Sequence, residues 1–343
     1  NTAGVLDITP MHKYDIKGAD AIKFVDKLVT RNVTEIKSGQ VMYIIWCNED
    51  GNVIDDGTVF CFDSNHLRIF CAERNLNWFS DTAIGFDVEV EDVSNTIAAL
   101  AFQGPLSCKI LNLLNVKNIE NLRPFYFDDF DLNGCKVTIS RTGFSGDLGY
   151  EIWCKNEDAI SVWDSLFKFN RDYKVLPAGM NALEMVRVEA GFIQPNADFM
   201  SAEQALRPNR MRNPFELGMG WLVDLNKNYF TGKKNLFNLK KKTLTKKLVG
   251  LDIQGDKPAI GSVLYDKNKK EIGIVTAGMW SPSLKSNIAF GYVDKDHMKI
   301  GSKVFAEIYH PEELEYKKIW AECLVVKKQF FNPPRRHKVP ADI

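Results

Sequence analysis

The chain has 343 residues, 45% of them hydrophobic, with 44 basic and 44 acidic side chains. That length and apolar content suit two or three domains with sizeable cores, and the even charge balance gives no electrostatic reason to expect a nucleic acid or an anionic membrane as partner. Seven cysteines without a CxxC pair, and five histidines without metal spacing, argue against a disulfide frame or a zinc site and for a reducing, cytoplasmic setting. No run approaches the roughly 18 apolar residues of a membrane span.

The opening Asn1–Asp7 carries no signal-peptide pattern and reads as the interior of a folded segment. Val5–Ile16 contains a short extended run. Ala21, Phe24, Val25, Leu28 and Val29 then recur at helical spacing behind Asp20, a residue able to cap them. Met42–Phe62 is the most informative stretch. Two β-branched and aromatic runs flank Asn48-Glu-Asp-Gly-Asn52, which predicts a β-hairpin. Its second strand carries Asp55-Asp56. Aspartate is disfavoured in strands, and successive strand residues point to opposite faces. If the hairpin has a buried face, one carboxylate points inward and needs a partner or a ligand. If the strand starts late, both acids lie at a solvated hairpin end.

Farther on, the pattern predicts a strand at Leu67–Cys71, a helix at Asn75–Ile84, strands at Phe86–Val93 and Thr96–Phe102, and a helix through Leu106–Leu114. Thr138–Ser140 and Ile152–Cys154 read as strands around Arg141-Thr-Gly-Phe-Ser-Gly146, whose glycines lack the spacing of a dinucleotide-binding loop. Ala159–Phe169 and Asn181–Gly191 read as helices. Gln194–Pro214 is polar and long for a structureless connection, which points to a functional or lid segment. Asn238–Lys247 is the best domain boundary. Beyond it six short strands alternate with turn residues, as in a compact all-β domain.

Individually these features are common; their order is specific. Leu6-Asp-Ile-Thr-Pro-Met11, Gly18-Ala-Asp-Ala21, Asn48–Asp56, Asp87–Val93, Gln103-Gly-Pro105, Arg141–Gly146, Pro177-Ala-Gly179, Arg187-Val-Glu-Ala-Gly191, Asn213–Trp221 and Ser281–Ala289 follow one another along nearly the whole chain. In that order the chain resembles the T protein of the glycine cleavage system, an aminomethyltransferase, and its folate-dependent relatives. Those include the folate domains of dimethylglycine- and sarcosine-oxidising enzymes and the dimethylsulfoniopropionate demethylase. The resemblance implies an α+β, three-domain, cloverleaf-like molecule with tetrahydrofolate in a central channel. Its first two domains would be mixed α/β and interleaved: residues 1–45 with 135–225, and residues 46–134 with part of 226–247. Residues 248–343 would form an all-β barrel or jelly roll.

The resemblance also implies residue roles. Asp55 is the expected catalytic carboxylate beside the reacting folate nitrogens, with Asp56 as its outward neighbour. Glu189 is expected on the pteridine and Tyr43 beside it; Met11 falls at a pocket position, Trp280 can stack on the aminobenzoyl part, and Arg187 can balance Glu189 or bind a carboxylate. Each has a plain structural alternative: core packing for Tyr43 and Met11, interface packing for Trp280, surface ion pairing for Arg187, and an exposed helix glutamate for Glu189. The sequence departs from the family on the donor side. Pro10 stands where T proteins commonly have histidine, Phe70 where they commonly have asparagine, and Gln194–Asp198 replaces a GHEL-like segment. The expected partner is therefore a one-carbon donor of either of two kinds: an aminomethyl group on a lipoylated carrier protein, or a small methylated amine or sulfonium osmolyte. A non-catalytic folate-binding paralogue is the remaining alternative.

Overall fold

A computed structural model describes residues 2–340 apart from Leu314. Two open sheets and one closed barrel account for its strands. The first sheet has five antiparallel strands in the order Val41–Cys47, Val53–Asp63, His66–Cys71, His12–Lys17, Glu89–Asp92. Helices Ala21–Leu28 and Leu76–Ala83 cover one of its faces, burying Phe24, Val25, Leu28 and Phe79 against Ile44, Trp46, Val59 and Ile69. Asp20 does not cap the first helix. Its carboxylate instead takes Lys23 Nζ at 2.7 Å and the Asp87 backbone N–H at 3.2 Å. Gly18 beside it has φ +143°, and a Cβ there would come within 2.1 Å of the Asp87 carbonyl oxygen, so only glycine lets the two segments approach.

The second sheet has six strands in the order Val175–Pro177, Ala3–Asp7, Ile97–Gln103, Gly149–Lys155, Cys135–Ser140, Phe127–Leu132. Helices Ser107–Leu113 and Ala159–Leu166 close its own core around Phe102, Ile110, Ile139 and Ile152. The strand Phe127–Leu132 has no counterpart in the sequence-based reading, because its run Phe-Asp-Asp-Phe-Asp-Leu presents acids along a sheet edge. The six strands beyond Lys246 close into the barrel, as their alternation predicts.

The sheets divide the chain differently from the expected boundaries. A cut after residue 45 would split the hairpin strand Val41–Cys47, and a cut after 134 would separate Ile97–Gln103 and Phe127–Leu132 from the sheet they pair in. Ala3–Asp7 and His12–Lys17 are neighbours in sequence yet lie in different sheets. Asn238–Lys247 is not a bare linker either: helix Lys233–Lys241 and the first barrel strand, from Lys246, occupy most of it.

Two further cores join the three lobes. Val41, Phe60, Phe70, Ala99, Phe127 and Trp153 pack where the inner faces of the two sheets meet. Ile45, Val53, Val188, Phe199, Leu222, Phe290 and Tyr292 pack where the hairpin, helix Met180–Ala190, the segment after it and the barrel meet. The five-stranded sheet is thus buried on both faces, one toward its own helices and one toward the shared centre of the molecule.

Candidate active site

The hairpin register decides which acid meets that centre. Trp46 lies opposite Asp55 and Ile45 opposite Asp56. Trp46 belongs to the core under the sheet's own helices, and Ile45 to the core shared with the barrel. Asp55 therefore points away from the centre and is fully buried. Its Oδ1 accepts the Asp56 N–H at 2.8 Å; its Oδ2 accepts the Glu73 N–H at 3.2 Å and Asn75 Nδ2 at 2.9 Å. Asn75 is itself held by Trp46 Nε1 at 3.2 Å and by its own N–H to Tyr14 Oη at 3.0 Å. Burial pushes the Asp55 carboxyl upward and the Asp56 charge adds to this, while the three N–H donors oppose it.

Asp56 is the acid on the central face. Tyr43, two residues before Ile45 on the same face, donates its hydroxyl to Asp56 Oδ2 at 2.6 Å. Among the described residues no other side chain bonds this carboxylate, and burial with the Asp198 charge pushes it up to about 6 against the Tyr43 hydrogen bond. Burial and the adjacent carboxylate raise the Tyr43 phenol well above its ordinary range, so it stays a donor.

Arg187 and Glu189 lie on helix Met180–Ala190 and do different work. Arg187 is completely buried. Its Nε and NH2 clasp Glu184 at 2.7 and 2.6 Å, and NH1 meets the Phe192 carbonyl and Asp198 Oδ2. Asp198 then ties in the barrel: Thr276 Oγ1 donates to its Oδ1 at 2.7 Å and Tyr292 Oη to its carbonyl at 2.9 Å. The segment that replaces the GHEL-like motif is thus a bolt between helix and barrel, and Arg187 has its donors committed to it. Glu189 is nearly buried, with Ser281 Oγ on Oε1 at 2.5 Å and Ser283 Oγ on Oε2 at 3.1 Å. The two serines fix the carboxylate plane and leave lone pairs free.

The remaining expected residues scatter. Met11 packs at the rim of the cluster between the two sheets. Trp280 precedes Ser281 on its strand and so points to the opposite face, 44% exposed. Trp221, in a motif quoted for the resemblance but given no role of its own, lies beside Tyr43 with ring centroids 6.2 Å apart. Glu151 also went unremarked in the sequence. It lies on the strand face of Trp153, accepts Thr142 Oγ1 at 2.5 Å, and burial pushes it up to about 7. Its only sequence signal was the glycine-rich turn before it. Among the described residues no group of three His, Cys, Asp or Glu side chains could hold a metal ion, and no helix is long and apolar enough to cross a membrane.

The fold and this arrangement can be set beside known proteins. The family model described as the GCVT N-terminal domain matches residues 1–227, and that of the glycine cleavage T-protein C-terminal barrel domain matches residues 246–331. The chain belongs to the glycine cleavage T-protein family. Among curated family members, the aminomethyltransferase of Halothermothrix orenii is 35% identical over 309 residues, covering 89% of this chain and 84% of its own. That of Thermotoga maritima is 32% identical over 342 residues, covering 98% and 89%. The solved glycine cleavage aminomethyltransferase T from Bartonella henselae superposes with TM-score 0.84 at 24% identity, covering 98% of this chain and 88% of that one, which establishes the shared fold. Within this T-protein-family fold, Phe70 packs at a tilt against Trp153 with centroids 4.0 Å apart and edge-on against Phe60 at 4.6 Å. Phe70 is thus an aromatic plug between two lobes.

Proposed function

We infer that this chain is a tetrahydrofolate-dependent one-carbon transferase of the aminomethyltransferase kind, and that Asp56, not Asp55, is its reacting-centre carboxylate. The observation that carries the assignment is the Tyr43–Asp56 pair on the face shared by all three lobes. The donor set fits a reduced pterin: a fixed carboxylate at Glu189, a second at Asp56, and an exposed indole at Trp221. Tetrahydrofolate, when bound, supplies the nitrogen nucleophiles that take up the one-carbon unit.

Glu189 accepts hydrogen bonds from the amino and ring N–H edge of the pterin with the lone pairs its serines leave free. Tyr43 holds Asp56 Oδ2, so Oδ1 is the atom that takes or returns a proton. A carboxyl pushed up to about 6 exists in both protonation states near neutrality, which suits that task. As a carboxylate it also stabilises the positive charge of an iminium-like or sulfonium carbon in a water-poor site. Arg187 is a positioning residue: it fixes the helix that carries Glu189 against the barrel. Asp55 buttresses the strand beneath Asp56.

The donor is an aminomethyl group presented on a lipoylated carrier, as family membership supports. A small methylated amine or sulfonium osmolyte is the second reading, favoured by the Phe70 plug on the donor side. The test is a tetrahydrofolate turnover assay with both donor types, run on the wild type, Asp56→Asn and Asp55→Asn. Asp56→Asn should lose at least about a hundredfold in turnover with folate affinity kept. Wild-type activity in Asp56→Asn would sink the assignment, and absence of any tetrahydrofolate-induced rise in Tm would sink the folate reading.

A further inference from the structure

Beside Tyr43 the two sheets meet at their edges: the Val41 N–H donates to the Phe125 carbonyl at 2.8 Å, and the Phe127 N–H to the Gly39 carbonyl at 2.9 Å. A cavity of about 430 Å³ opens at this seam, lined by Arg31, Gln40, Val41, Met42, Phe125 and Tyr126 among others. Arg31 is its only basic lining residue. Its NH1 donates to the Tyr43 carbonyl at 3.1 Å, and its guanidinium lies over the Trp221 ring, 5.9 Å from the centroid. Its other N–H groups bond no protein atom among the described residues, and no acid lies within ion-pair distance of it there. Glu35, at the same cavity, is no exception. Burial alone pulls the Arg31 guanidinium below its ordinary range, with no carboxylate raising it. A half-buried guanidinium with a free donor fork, stacked on an indole that is 68% exposed, is a carboxylate receptor waiting for its anion.

We propose that Arg31 and Trp221 form a subsite for a carboxylate carried by the ligand of the transfer site. The contacts run without a break from this fork through Tyr43 to Asp56. A ligand reacting at Asp56 therefore lays its far end on Trp221 and its anion on Arg31. This rests on the folate reading above, in which the benzoyl-glutamate end of tetrahydrofolate is the occupant. A carboxylate on the one-carbon donor is the other source of the same chemistry.

The test measures binding by calorimetry at low salt for the wild type and Arg31→Gln. The two ligands are tetrahydrofolate and the neutral tetrahydropteroyl methylamide, which keeps the pterin and benzoyl amide and lacks both carboxylates. Donor KM is measured in parallel for a methylated amine with a carboxylate (sarcosine) and one without (trimethylamine). The expected result is a loss of about tenfold in tetrahydrofolate affinity with the neutral amide unchanged. If tetrahydrofolate is unaffected and KM rises only for sarcosine, the subsite stands with the donor as its source. Equal weakening of both folate ligands would make Arg31 a mere prop for Tyr43, and no change with any ligand would leave it without a role; either result overturns the proposal. A wild type that binds neither folate ligand fails the folate reading itself, visibly and separately.

Discussion

If Asp56 is held at the centre for function, removing its charge should stabilise the empty protein while disabling it. The folded-state value of about 6 against an ordinary 3.8 corresponds to roughly 3 kcal/mol of differential interaction. The sign follows from proton counts. Between about pH 4 and pH 6 the folded state keeps a proton on Asp56 that the unfolded chain has lost, so stability falls as pH rises and the cost is complete above the folded value. Asp56→Asn removes that cost. It also weakens the Tyr43 hydrogen bond from charged to neutral, which returns about 1 kcal/mol. The net expectation is a gain of about 1–2 kcal/mol at pH 8, little change at pH 4, and a shallower slope between. Urea titrations at half-unit pH intervals read this directly from the midpoint at constant m. Asp55→Asn is the internal control. Burial and the Asp56 charge raise its carboxyl too, so Asp55→Asn also sheds a charge cost at pH 8, but its carboxylate faces three N–H donors, and an amide NH2 placed among them costs about 2 kcal/mol at every pH. If Asp56→Asn is destabilised at pH 8, or Asp55→Asn is not destabilised at pH 4, where neither carboxylate carries its charge cost, the assignment of inward and outward acids is wrong.

Arg187→Ala should cost about 3–5 kcal/mol, because it strands Asp198 and Glu184 without their partner; a loss below about 1 kcal/mol in urea titration would contradict the bolt described here. Glu151→Gln should gain about 1–3 kcal/mol at pH 8 and nothing at pH 4, since burial pushes the carboxyl up to about 7 and stability falls as pH rises from its ordinary value through that one; an equal effect at both pH values would refute this. Phe70→Asn should lower stability by about 3–5 kcal/mol by emptying the Phe60–Trp153 contact. If the plug also bars a carrier arm, that variant should gain turnover with an aminomethyl carrier relative to a small osmolyte, and an unchanged ratio of the two would remove Phe70 from the choice of donor.

The barrel was legible in the sequence because its strands alternate and Gly, Asp, Asn and Lys punctuate them, so period and boundary agree. The hairpin was legible for the same reason. Sheet membership was not. Val5–Ile16 reads only as containing a short extended run, and no local pattern says that it holds parts of two strands, Ala3–Asp7 and His12–Lys17, in different sheets. Arg187 and Glu189 lie two apart on a helix and so point in different directions, but the partner that buries Arg187 is Asp198, reached only through the turn at Gln194.

The acid pair shows most clearly where local reasoning stops. Alternation guarantees that Asp55 and Asp56 face opposite ways, and it would name the functional one if a single face were buried. Here Met42, Ile44 and Trp46 are as apolar as Val41, Tyr43 and Ile45, because the sheet is covered on both sides. Hydrophobicity therefore carries no information about which face is the lobe's own core and which is the common centre. What distinguishes the faces is the polar complement each supplies. Toward the helices Asp55 finds three N–H donors and is saturated. Toward the centre Asp56 finds one phenol and another carboxylate, which leaves an oxygen to use. An acid whose hydrogen bonds are all satisfied by its own lobe has no capacity left for a ligand, and the two readings of the pair separate on that ground.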